Sequence, residues 1–575
     1  MKVNHRIIGI GVSPGISIGK AYILKKKEAA ISGSAIVNDE EKETEIGKFN
    51  QSVISALAEI ESIRSDKNRP QALESLDILD TQAEFLDDPQ IREDVYAKIR
   101  KDSILAYDAV IEVFGSAILM FRNFEDDYLS ARAADLQDIR DRILRNLNSD
   151  CALHHEYHEN TILISKELLP SETISLDTAK VIGFATQLGG KTSHTAILAK
   201  AKGIPAVVGC SGDLESIQNN ETIILDGFTG DLILNPDLNT LQIYAAKQQI
   251  AINEQALLKS LKDQPATTTD CHRVQLYANI SNAGDLEQVF ENGGEGIGLL
   301  RTEMLFLERE SLPTEEEQFN FYKQVAIQSK NIPVIIRTLD IGGDKQLTYF
   351  GIPPENNPCM GYRAIRICLD QQEIFFRQLR AILRASIFGK FKIMFPMICN
   401  LSEIREAKSC LDQVKKELAD SGIDFDTAIE VGMMIEIPSA ALMADKLASE
   451  VDFFSIGTND LCQYTLAVDR MNDKVSALYS HFDPGVLRLI GNVIEQAHKL
   501  NKSVSLCGEM ASDPLATLLL LGMGLDELSM NARSIPTIKN NIIKNSVSKA
   551  AEIFKRVMEM DNSESIINYL KEVIQ

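Results

Sequence analysis

Gly189-Gly190-Lys191-Thr192-Ser193-His194-Thr195-Ala196 sets a glycine-flexed loop and two hydroxyls before a helix, with His194 in its first turn. A helix N-terminus offers unpaired N–H groups and partial positive charge, so a phosphate carried on that imidazole would be stabilised. An uncharged histidine near neutral pH is also a nucleophile. The same residues also describe a helix capped by Thr192 or Ser193, with His194 merely packed. Glu436 in Met-Ile-Glu-Ile-Pro and Asp460 in Gly-Thr-Asn-Asp end adjacent predicted strands, apolar settings where a lone carboxylate is expensive. Two carboxylates completed by water and substrate oxygens is the usual arrangement for magnesium; salt bridges to nearby arginines are the competing reading. Arg301, Arg337 and Arg470 then make an anion clamp, because guanidinium forks match phosphate and carboxylate bidentately, although each could simply pair with Glu or Asp. Arg363 in Gly-Tyr-Arg is a fourth candidate. Cys507 in Leu-Cys-Gly-Glu ends a strand, where its thiol could exchange a proton at a cavity mouth or just fill the core.

These residues need a scaffold that gathers them. From residue 272 onward, eight apolar runs alternate mostly with helical patterns: RVQLYANI, GIGLLRTE, VIIRTLDI, KIMFPMI, VGMMIEIP, DFFSIGTND, SVSLCGEM and DELSM. Eight strand-then-helix units predict a C-terminal (β/α)8 TIM barrel, whose chemistry sits at the C-terminal strand ends. Arg301, Arg337, Glu436, Asp460 and Cys507 all fall at or just beyond such ends. Upstream, IIGIGVSPGISIGKAYIL reads as two strands around a Pro-Gly turn, and NTILISKEL, AKVIGFATQLGG, IPAVVG and ETIILDGFTGDLILN as further short strands. Between them, three- and four-residue apolar spacing with no β-rich run before Leu147 predicts an inserted all-helical subdomain. The expected organisation is an α/β domain over 1–24 and 150–240, the helical insert over 25–149, a linker helix over 241–265 and the barrel over 266–575.

The chain of 575 residues is 45% hydrophobic and 25% charged, the balance of a multidomain globular protein. No segment approaches the length of a membrane span, and the N-terminus does not read as a signal peptide, so no membrane insertion and a cytoplasmic location are expected. Nine cysteines without a C-x-x-C pair suit a reducing compartment. A net charge of −23 argues against nucleic acid as a partner. GIGVSPG and PGISIGKA both fall short of nucleotide-binding fingerprints. The cluster His154, His155, Glu156 and His158 reads as a solvated surface patch in preference to a metal site.

Taken together, SPGISIGKA, GGKTSHTAILAKAKGIPAVVG, GIGLLRTE, RTLDIGGDK, MMIEIPSA, FFSIGTNDLCQYTLAVDR and CGEMASDP resemble, in order and nearly end to end, enzyme I of the bacterial phosphoenolpyruvate-dependent sugar phosphotransferase system. The resemblance implies a swivelling phosphohistidine domain and His194 as the phosphoryl carrier. It implies Glu436 and Asp460 as Mg2+ ligands and Arg301, Arg337, Asn459, Asp460 and Arg470 as phosphoenolpyruvate binders. Cys507 would protonate the enolate as pyruvate forms. Also implied are the phosphocarrier HPr as acceptor, docking on the helical subdomain, and a homodimer through the barrel. Lys191, Lys200 and Met471 depart from the family pattern, and YLSARAADLQDI lacks the usual glutamate before Arg132, which bears on the carrier-docking surface.

Overall fold

A computed structural model describes the chain except residues 1–3, 25–30, 32–35, 37, 65–72, 123–126, 149–156, 170–171, 174–175, 191–192, 213, 215–216, 308, 310, 344–347, 351–354, 473 and 575. His154, His155, Glu156, Lys191 and Thr192 therefore lie outside the described residues. The chain divides into two compact units, Met1–Glu254 and Gln255–Gln575.

In the first unit, β1 (His5–Ser13) and β2 (Ile16–Ile23) flank the Pro14-Gly15 turn. They close a seven-stranded barrel with β3 (Thr161–Ser165), β4 (Val181–Thr186), β5 (Ala206–Ser211), β6 (Thr222–Asp226) and β7 (Asp231–Leu234), in the order β1-β5-β4-β3-β2-β6-β7. Pairing is mixed: β2-β3-β4-β5 run parallel, while β1 and β6 pair antiparallel with their neighbours. Five helices, α1 (Asp39–Arg64), α2 (Leu73–Asp87), α3 (Pro89–Asp102), α4 (Ala106–Arg122) and α5 (Asp127–Leu147), are inserted between β2 and β3. Their apolar stripes enclose a core of their own, with Phe49, Val95, Ile99, Val110, Phe114 and Ile139 at its centre. The helix His194–Lys202 joins the two parts: Ala196 and Ala199 belong to the barrel's core, whereas Leu198 belongs to the helical one.

A helix over Leu238–Ser260 follows, starting three residues before the expected Leu241 because Pro236-Asp237 punctuates the chain and Asp237 Oδ1 accepts the Thr240 N–H at 2.7 Å. No residue of it is buried. The second compact unit reaches back past 266: Leu261 is buried, and the Lys262 carbonyl accepts a bond from the buried Lys539 ammonium at 2.9 Å.

In that unit β8 (Gln275–Ile280), β9 (Gly296–Leu300), β10 (Pro333–Arg337), β11 (Lys390–Phe395), β12 (Glu430–Ile435), β13 (Phe453–Ile456), β14 (Ser503–Leu506) and β15 (Glu527–Met530) form a closed, all-parallel barrel, with β15 pairing β8. The eight runs read from the sequence are these eight strands. They are almost wholly apolar because helices cover their outside and side chains fill their inside. Ile335 faces an inner cluster with Leu299, Met394, Met434, Phe453 and Cys507, while its neighbours Val334 and Ile336 pack outward under the helices. Asn400, Asp483 and Asp513 start the helices that follow β11, β13 and β14 by accepting backbone N–H bonds, and Pro484 and Pro514 fix the first helical turns. The architecture is a multidomain α/β chain ending in a TIM barrel.

Candidate active site

A cavity of about 500 Å3 opens at the C-terminal ends of the barrel strands. Its lining includes Arg301, Arg337, Glu436, Asn459, Asp460, Arg470 and Cys507, so the barrel gathers every residue the sequence nominated there. Arg301 follows β9, Arg337 ends β10, Glu436 follows β12, Cys507 follows β14, and Asn459 and Asp460 open the helix Thr458–Leu466.

The arginines divide into two kinds. Arg337 is buried and ion-paired with Glu303 and, at 2.9 Å, with Asp340. Burial alone would lower its pKa, but Glu303 and Asp340 outweigh that and raise it. Arg363 is held by both oxygens of Asp340 at 2.9 and 3.1 Å, by Asp460 at 2.9 Å and by the Tyr464 hydroxyl at 3.2 Å. Gly342, at φ 104, lets this segment come close: a Cβ there would lie 2.6 Å from the Tyr362 carbonyl oxygen. By contrast, the guanidinium groups of Arg301 and Arg470 have no hydrogen-bond or ion-pair partner among the described residues; their backbone N–H groups are held, that of Arg301 by the Ile280 carbonyl at 2.9 Å and that of Arg470 by Gln463 Oε1 at 3.3 Å. Two free forks therefore face the cavity.

Glu436 is 1% exposed and accepts the Met397 N–H at 2.6 Å. Met397 takes φ 57, a left-handed conformation uncommon for a side chain of this kind, to present that N–H. Burial, with Asp460 and Asp340 nearby, pushes the Glu436 carboxyl up to about 8 despite Arg363 and Arg337. The donor set, two hard oxygen-bearing groups lining one open cavity, fits a divalent ion such as magnesium. Among the described residues no group of three or more His, Cys, Asp or Glu forms a metal cage. The competing salt-bridge reading is realised in part, since Asp460 does pair with Arg363.

Cys507 is 5% exposed; its sulfur accepts from the Ser455 hydroxyl at 3.3 Å, and burial pushes the thiol up to about 11. It is protonated at neutral pH, the state of an acid. Gly508 behind it is obligatory, because a Cβ there would sit 1.9 Å from Thr458 Oγ1. Asn459 Oδ1 accepts the Glu509 N–H at 2.9 Å, which orients its amide at the rim.

In the other unit, His194 is the first residue of the helix His194–Lys202. Ser193 caps that helix by accepting the Ala196 N–H, and buried Thr195 ties it to the Leu168 carbonyl at 2.9 Å. The cap expected from Thr192 or Ser193 is thus made by Ser193; the His194 side chain lies outside the described residues.

Glu303 and Asp340 escaped nomination although both stand in runs read as strands. The only signal was an acid placed two or three residues from a strand-end arginine, which acquires meaning once the strands close into a barrel.

Three PEP-utilising enzyme families match the chain: the N-terminal family over 8–132, the mobile domain over 157–230 and the PEP-binding domain over 255–547. The fold and the cavity thus define a PEP-utilising enzyme. Phosphoenolpyruvate-protein phosphotransferases of Bacillus subtilis (strain 168), Staphylococcus carnosus (strain TM300) and Priestia megaterium are 43%, 42% and 42% identical, each alignment covering 99% of both chains. This chain belongs to that family, enzyme I. Among solved structures, an Enzyme I (nEIt) protein in solution is 32% identical and overlaps 43% of this chain and 99% of its own at a TM-score of 0.36, so the assignment rests on the full-length relatives. No helix among the described residues is long and apolar enough to cross a membrane.

Proposed function

We propose that the chain transfers the phosphoryl group of phosphoenolpyruvate to its own His194 and then to the phosphocarrier protein HPr, the first step of phosphotransferase-system sugar uptake. The observation that carries the reading is the pair of free guanidinium forks, Arg301 and Arg470, facing the crowded carboxylates Glu436 and Asp460 across one cavity. Arg301 and Arg470 take the substrate's anionic groups, while Arg337, already fixed by Glu303 and Asp340, presents a rigid positive floor. Asn459 donates to a substrate oxygen. Glu436 and Asp460 hold Mg2+, which when bound supplies charge neutralisation at the phosphate. The P–O bond to the enol oxygen breaks as a bond forms between phosphorus and an imidazole nitrogen of His194. The Cys507 thiol, protonated at neutral pH, gives its proton to the terminal carbon of the enolate, releasing pyruvate. On His194 the phosphate meets the free N–H groups of the helix start, in the first turn that Ser193 caps.

HPr docking on the inserted helices, homodimerisation through the barrel and a cytoplasmic setting are the expectations attached to the enzyme I likeness. Incubation with 32P-labelled phosphoenolpyruvate tests the core of the reading. Labelling of the protein should be acid-labile, require magnesium, discharge onto HPr and vanish in His194→Ala. Full labelling of that variant would overturn the assignment.

A further inference from the structure

We infer that Gln378, outside the cavity, is a positioning residue for its arginine floor. The inference rests on the reading of Arg301 and Arg337 as substrate-binding groups. Gln378 lies on the helix Gln372–Ala385, is fully buried, and uses its whole amide. Its Oε1 accepts the Leu339 N–H at 2.9 Å; its Nε2 donates to Thr302 Oγ1 at 3.3 Å and to the Tyr322 hydroxyl at 3.1 Å. The direction of each bond is forced. A backbone N–H only donates, which fixes the amide's orientation, and the Thr302 hydroxyl spends its one hydrogen on the Arg337 carbonyl at 3.0 Å, so toward Gln378 it accepts.

The placement of these partners gives the network its purpose. β10 ends at Arg337, and the chain then leaves the sheet inside the core, where the Leu339 N–H needs an acceptor. Gln378 supplies it, and Leu339 directly precedes Asp340. Thr302 stands between Arg301 and Glu303. One amide therefore indexes the two turns that carry Glu303 and Asp340, the carboxylates gripping Arg337, together with the residue after Arg301. Apolar packing alone would leave these strand ends free to shift by fractions of an ångström, and misplacement on the scale of 1 Å costs on the order of a hundredfold in rate.

The test is steady-state kinetics with phosphoenolpyruvate on full-length Gln378→Met, which keeps the shape and loses the bonds, well below its melting temperature. The core substitution Ile382→Val on the same helix is the control. A purely structural role would lower the melting temperature and leave KM alone, as in the control. Positioning instead predicts that KM for phosphoenolpyruvate rises about fivefold or more and kcat/KM falls about ten- to a hundredfold. If Gln378→Met yields no folded enzyme, Thr302→Val, which drops only the linking hydroxyl, should show the same rise. A wild-type KM in folded Gln378→Met, or in Thr302→Val where the former does not fold, overturns the inference. Arg337→Ala run in parallel separates the two levels. If it too leaves KM unchanged, the clamp reading fails and this inference with it; if it raises KM while Gln378→Met does not, only the role of Gln378 falls.

Discussion

Two acids, one buried and one half-buried, show how position sets chemistry within one barrel. Cys507 is a buried thiol in the cavity lining whose pKa burial pushes up to about 11. Replacing it with alanine should lower pyruvate formation by about a hundredfold or more, the usual weight of a placed proton donor, while calorimetry finds phosphoenolpyruvate binding nearly unchanged. Wild-type turnover would return Cys507 to a packing role. Glu527 begins β15, at the other end of the strands, with one carboxyl oxygen lacking a hydrogen-bond partner among the described residues. Burial pushes it up to about 8, with Asp526 acting in the same direction and Lys392 against it. A raised carboxyl pKa means that the folded state binds the extra proton between about 4.5 and 8. Stability is then lost as pH climbs through that window, by up to about 1.4 kcal/mol per unit. Glu527→Gln should flatten this slope, so its melting temperature should gain on the wild type from pH 5 to pH 8. Parallel melting curves for the two proteins would refute it. The position of Cys507 at a strand end was legible in the sequence, but its local pattern fitted a core residue equally, and the acid role came from the enzyme I resemblance. Glu303 and Gln378 were not legible, because their partners lie on other elements that only barrel closure brings together, and Asp340, although three residues from Arg337, gains its second arginine, Arg363, only in the fold.

Among elements, the helix His194–Lys202 depends on local letters for both its ends. Ser193 caps its start, and Gly203 at φ 65 closes it by donating to the Lys200 carbonyl. Ser193→Ala removes the cap at a cost of about 1 kcal/mol. Backbone amides of residues 195–197 should then exchange hydrogen faster, and labelling at His194 should slow, with phosphoenolpyruvate binding untouched. Unchanged exchange there would mean that the buried Thr195 bond to Leu168 alone sets the helix start. The strands of the C-terminal barrel were readable because each is a continuous apolar run bounded by helical periodicity. The start of the helix Leu238–Ser260 was less so: no residue of it is buried, so no apolar stripe marks its first turn, and the signal was the Pro236-Asp237 punctuation.

At the scale of the molecule, His194 and the arginine cavity belong to different compact units, each with its own core. Separately expressed residues 1–254 should exchange phosphate with phosphorylated HPr and refuse phosphoenolpyruvate, and residues 255–575 should bind phosphoenolpyruvate and transfer nothing. Mixing the halves should restore little, because a tether supplies an effective concentration of about millimolar that free encounter lacks. Label taken from phosphoenolpyruvate by the first fragment alone would refute the division of labour. Closure of both sheets bears on the same division. An open sheet ends in strands whose unpaired N–H and C=O groups recruit any passing strand, the usual seed of aggregates and of swapped dimers. Each of the fifteen strands among the described residues has a neighbour on both sides, so neither barrel carries a raw edge. Neither barrel, then, offers a strand edge as a template for misassembly.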